Sequence, residues 1–104
     1  MPYKLDRTPT YRFAARDHLG PLATLQLRLA ERVIADHPYR LTPAIKVWLG
    51  GRNVTLYAYG DLMIYLEIRD SETVSLYLVL DSKNLPEWFV KPTGTWFERI
   101  DLTD

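Results

Sequence analysis

The hydrophobic period of this chain changes once, from steps of three and four ahead of Pro38 to alternation after Pro43, and that switch confines it to a helical part followed by a sheet. Leu22, Leu25, Leu29 and Val33 recur at helical spacing, and Leu27, Ala30 and Ile34 widen the stripe. The spacing predicts a helix over residues 22–36 whose Leu25, Leu29 and Val33 stripe packs on the sheet. His37-Pro38 ends it, because the proline ring disfavours helical geometry in the residue ahead of it. Gly20-Pro21 separates this helix from a shorter one over residues 10–18, since glycine suits a helix C-terminus and proline the first turn of the next helix.

Beyond Pro43, the turn signals Gly50-Gly51, Gly60-Asp61 and Asp70-Ser71-Glu72 divide residues 44–80 into four short strands, and links this short imply antiparallel neighbours. Alternation assigns the faces. Ile45, Val47 and Leu49 oppose Lys46 and Trp48, and Val54, Leu56 and Ala58 oppose Thr55, Tyr57 and Tyr59. In the third strand Leu62, Ile64, Leu66 and Ile68 oppose Met63, Tyr65, Glu67 and Arg69; in the fourth Val74, Leu76, Leu78 and Leu80 oppose Ser75, Tyr77 and Val79. The aliphatic sets are expected to meet the long helix, leaving a tyrosine face on the other side. A further strand is expected at residues 3–6. The sum is an α+β domain, β-α-α-β-β-β-β, with a helical hairpin packed on one face of a small antiparallel sheet.

With 104 residues, a single domain over 1–104 is expected. Lys plus Arg total 13 and Asp plus Glu total 13, so no overall field draws the chain to nucleic acid or to an anionic membrane. The absence of cysteine excludes disulfides, thiolate metal sites and a cysteine nucleophile. No apolar run has the length of a membrane span, and the opening MPYKLDRTPT lacks a signal-peptide core, so a cytoplasmic protein is expected. From residue 84 the chain reads as an aromatic-rich C-terminal extension, with Trp88, Phe89, Trp96 and Phe97 set among Pro86, Pro92 and Gly94. Such residues suit either a segment folded back over the sheet or one docked on a partner chain.

Few residues carry recognisable chemistry. His18 and His37 have no Asp or Glu at ligand spacing, so neither metal nor cofactor is expected. Gly50-Gly51 links two strands and lacks the Lys-Ser/Thr of a phosphate loop, and Ser71, Ser75 and Ser82 sit in no nucleophile elbow. Glu67 and Asp81 would both flank the tyrosine face if the fourth strand runs past Leu80, where they read as acid-base candidates or as cross-strand ion pairs. Arg28 and Arg32 lie one turn apart on the long helix, with Arg16 and Arg40 as neighbours, and suit solvent, an acidic partner or nucleic acid. Tyr57, Tyr59, Tyr65 and Tyr77, with Trp48 and Met63, form the candidate binding surface, covered by the C-terminal segment, by a protein interface or by stacked bases.

The element order, together with Gly60-Asp61-Leu62-Met63-Ile64-Tyr65-Leu66-Glu67-Ile68, resembles the RelE/ParE superfamily of bacterial toxin-antitoxin systems over residues 3–83. Those toxins carry Gly-Asp-Tyr-Arg ahead of an apolar strand, an acidic turn and another apolar strand. The resemblance implies a toxin-family protein acting through protein contacts, with an antitoxin-like partner or self-association and a gyrase-type target. Two alternatives share the fold: a ribosome-dependent endoribonuclease that cleaves messenger RNA, and a non-toxic binding or assembly module. For a nuclease the candidate residues are Lys46, Arg52, Glu67 and Lys83. Leu62-Met63 stands where the family has Tyr-Arg, and Asp81-Ser82-Lys83 where ribosome-dependent members place His or Arg, so Met63 removes a charge that would stabilise phosphate and leans the chain away from enzymatic activity.

Overall fold

A computed structural model of the protein describes residues 2–85, so the extension expected from residue 84, with Trp88, Phe89, Trp96 and Phe97, lies beyond residue 85 outside the described residues. The elements are β1 (Lys4–Arg7), α1 (Pro9–His18), α2 (Pro21–Asp36), β2 (Ala44–Leu49), β3 (Arg52–Tyr59), β4 (Leu62–Ile68) and β5 (Thr73–Asp81). This is the β-α-α-β-β-β-β order expected from the sequence. The strands form one sheet in the order β1-β5-β4-β3-β2. β2 to β5 pair as successive antiparallel neighbours, while β1 runs parallel to β5 along its other edge.

Local chemistry explains the boundaries. Pro9 and Pro21 open the two helices, where a missing backbone donor costs nothing. The Thr8 hydroxyl caps α1 by accepting from the Tyr11 backbone N–H at 3.3 Å. Gly50 and Gly51 both have positive φ, at 56° and 83°, as both central residues of a type I′ hairpin turn must.

The helices lie on one face of the sheet. Leu5 and Arg7 of β1 pair with Val74 and Leu76, which pair in turn with Ile68 and Leu66, and the Arg7 guanidinium reaches Glu31 of α2. Beneath the helices the core is built from Leu62, Ile64, Leu66, Val74 and Leu76 against Tyr11 and Ala14 of α1 and Ala23, Leu27, Ala30 and Ile34 of α2. The stripe expected to face the sheet is therefore not the buried one. Leu22, Leu25, Leu29 and Val33 are 71%, 57%, 55% and 37% exposed. Both sets have helical spacing, and the one carrying two alanines faces inward because small side chains let the helix backbone approach the sheet.

The single tyrosine face also divides. The two-residue turn at Gly60-Asp61 pairs Tyr59 with Leu62 and Tyr57 with Ile64, which puts both tyrosines on the helix side. Tyr65 pairs with Leu56 and Met63 with Ala58, on the opposite side. In β5 the alternation breaks, because the register slips between Tyr65 and Leu66: Leu66 pairs with Leu76 while Tyr65 pairs with Leu78. Tyr77 is the extra residue of a β-bulge, so Leu78 and Leu80 share the face of Tyr65 and Met63, and Val79 joins Ile64 below the helices. Ile45, expected inside, lies exposed on edge strand β2.

Candidate functional site

On the sheet face away from the helices, β3, β4 and β5 bring the side chains of Arg52, Glu67 and Tyr77 together. Arg52 stands at the start of β3, and its Nη2 donates to Glu67 Oε1 at 2.9 Å. The hydroxyl of Tyr77 donates to the same oxygen at 2.8 Å, and the Arg52 guanidinium sits 5.6 Å above the Tyr77 ring. Beside them the Arg69 Nη1 donates to the buried Ser75 hydroxyl at 3.2 Å. The bulge produces this cluster, because the added residue turns Tyr77 toward Glu67. Burial and the neighbouring Glu67 hold the Tyr77 phenol above its ordinary pKa, so it acts here as a hydrogen-bond donor. Arg52 and Glu67 both keep solvent access. Such a pair is suited to meet a polar group arriving from outside, and as a surface pair it contributes about 1 kcal/mol or less to stability.

The remaining nuclease candidates do not join the cluster. Lys46 projects on the helix-side face, where its Nζ donates to the Thr55 hydroxyl at 2.9 Å. Lys83 lies in the turn after β5 and pairs with Asp61 at 3.2 Å. Asp81 is in β5, yet it does not flank the same face as Glu67: it pairs with Leu62 on the helix side and accepts from the Lys83 backbone N–H at 3.0 Å. The bulge accounts for that separation.

Of the candidate binding residues, Met63, Tyr65 and Tyr77 stay together away from the helices, while Trp48, Tyr57 and Tyr59 occupy the helix-side face. Tyr57, Tyr65 and Tyr77 are buried. Tyr57 and Tyr59 meet edge to face at 6.2 Å, whereas Trp48 on edge strand β2 is 71% exposed.

A second polar centre, not foreseen in the sequence, locks the helical layer to the sheet. Glu31 of α2 accepts from Arg7 Nε at 3.1 Å and Nη2 at 2.8 Å, and from the Tyr11 hydroxyl at 2.6 Å. Burial pushes the Tyr11 phenol well above its ordinary pKa, with the Glu31 charge adding to it. Thr8 completes the lock, donating from its hydroxyl to the Leu76 carbonyl at 3.1 Å and the Tyr77 carbonyl at 3.3 Å, where the bulge disturbs the sheet ladder. The distance along the chain hides this network, since no local pattern ties residue 8 to residue 76.

Among the described residues no group of His, Asp and Glu is arranged to hold a metal ion. No described helix is long and apolar enough to cross a membrane. No protein-family model and no curated protein matches the sequence. Among solved structures, the protein is similar to a chain of the toxin-antitoxin complex RelBE2 from Mycobacterium tuberculosis, with a TM-score of 0.64 and 18% identity, covering 83% of this chain and 100% of that one. At that identity the likeness is one of fold, and the fold is RelE-like.

Proposed function

From this RelE-like fold we propose that the chain is a toxin-family protein that acts mainly through protein contacts and is governed by an antitoxin-like partner. The observation that carries the reading is the likeness to a chain of a toxin-antitoxin complex over that chain's whole length. Fold alone does not dictate activity, so the site must supply the rest. Cleavage of RNA needs cations gathered around the scissile phosphate. Here Lys46, Arg52 and Lys83 are engaged separately with Thr55, Glu67 and Asp61, and Met63 adds no charge. A protein target, such as a gyrase-type enzyme, makes no such demand.

The second reading, a ribosome-dependent messenger nuclease, draws its support from the contact between Arg52 and Glu67. A carboxylate beside a guanidinium can take a proton while the cation faces phosphate. Both readings put the chain in the cytoplasm. Expression in bacteria followed by primer extension on cellular messengers separates them. Growth arrest without new messenger ends is the expected result. Arrest with cleavage that Arg52→Ala abolishes would establish the nuclease, and normal growth would leave a non-toxic binding module.

A further inference from the structure

We propose that the outward apolar ridge of α2, bordered by Arg28 and Arg32, is the docking surface for an acidic amphipathic helix of a partner protein. The inference rests on the reading of the chain as one that works through protein contacts, and it assigns the surface and the chemistry of the partner.

Single exposed leucines are ordinary. Leu22, Leu25, Leu29 and Val33 differ in forming one line at steps of three and four along a helix whose opposite side is already committed to the core through Ala23, Leu27, Ala30 and Ile34. The line runs for about 16 Å, three helical turns. A continuous apolar strip of that length, rather than scattered side chains, marks an interaction surface. Its form is the ridge that a second helix accepts between its own rows of side chains.

Charge selects the occupant. Arg28 and Arg32 stand exposed one turn apart, and neither makes an ion pair among the described residues. Glu31, the carboxylate between them in sequence, is held by Arg7 and Tyr11 and offers them nothing. A partner helix carrying Leu or Ile at its contact positions and Asp or Glu alongside would cover the ridge and give each guanidinium a carboxylate at the rim. A second copy of α2 would bring Arg28 and Arg32 again, with the single exposed carboxylate of Asp36 at the end of each helix to set against the two guanidiniums of the other. Nucleic acid would use the arginines and leave the leucines in water. An anionic bilayer generally needs a larger cationic cluster than two arginines.

The test uses the full chain and two synthetic helical peptides of equal length with the same leucine positions, one flanked by Glu and one by Lys, read by fluorescence anisotropy. The Glu peptide is expected to bind about tenfold tighter or better than the Lys peptide. Leu25→Asp with Leu29→Asp should abolish that binding without lowering the thermal midpoint, since neither side chain supports the core. Arg28→Glu with Arg32→Glu should reverse the preference toward the Lys peptide, which keeps the test decisive even if the leucine variant folds poorly. Equal binding of the two peptides, or binding by neither, would overturn the proposal. So would concentration-dependent dimers, or adhesion to phosphatidylserine vesicles, that disappear in the leucine variant. Growth assays keep the two readings apart. If peptide selectivity fails while the parent chain still arrests growth, only the docking surface is lost; if selectivity holds and growth is normal, only the toxin reading is lost.

Discussion

The Glu31 carboxylate accepts from a strand residue and from a residue of α1 while itself belonging to α2, so one side chain fastens three elements. Its closest partner, the Tyr11 hydroxyl, gives the protein a pH response. The folded chain keeps the Tyr11 proton well above pH 10, whereas an unfolded tyrosine releases it near its ordinary pKa of 10.0. Above that point the unfolded state binds fewer protons than the folded one, so stability is fully present below about pH 10 and falls as the pH rises. Tyr57, Tyr65 and Tyr77 shift in the same direction and add to the fall. In denaturant titrations from about pH 7 to 11, Tyr11→Phe should lower stability at neutral pH yet flatten the alkaline decline, by up to about 1.4 kcal/mol per pH unit. An unchanged alkaline slope would show that Tyr11 ionises alike in both states.

For α2 the question is which of two stripes holds the fold together. Leu27→Ala or Ile34→Ala should cost about 2–5 kcal/mol in chemical unfolding, as for other buried aliphatic residues, whereas Leu29→Ala should change stability by less than about 0.5 kcal/mol. The reverse ranking would return Leu29 to the core. The existence and length of this helix were legible in the sequence, and its orientation was not, because both stripes satisfy the same period. Ala23 and Ala30 were the usable clue, since small residues mark where a helix backbone comes close. Turn length was another. A two-residue link at Gly60-Asp61 makes Tyr59 and Leu62 partners, and that arithmetic alone separates Tyr57 from Tyr65. The Tyr77 bulge left no such trace, because Tyr77 and Leu78 both suit a regular strand, and so the meeting of Arg52, Glu67 and Tyr77 was legible only in part.

Across the whole molecule, the order of elements, the helical layer and the chain of hairpins from β2 to β5 were readable from periodicity and turns, and the parallel pairing of β1 with β5 was not. That pairing puts β5 in the interior of the sheet, with Val74 to Leu80 all buried, and leaves β2 as a mostly exposed edge. Amide hydrogen exchange should therefore be slowest in β5 and β4 and fastest in β2, a ranking that follows burial and neighbour pairing. Equal protection of β2 and β5 would contradict this sheet order. The same arrangement bears on how the protein is made. A growing chain presents β1 and both helices first, yet the neighbour of β1 and the carbonyls that receive Thr8 belong to residues 73–81. Product released by a ribosome that stalls before those codons would have a helical layer with its anchor missing, a target for proteases rather than a folded species.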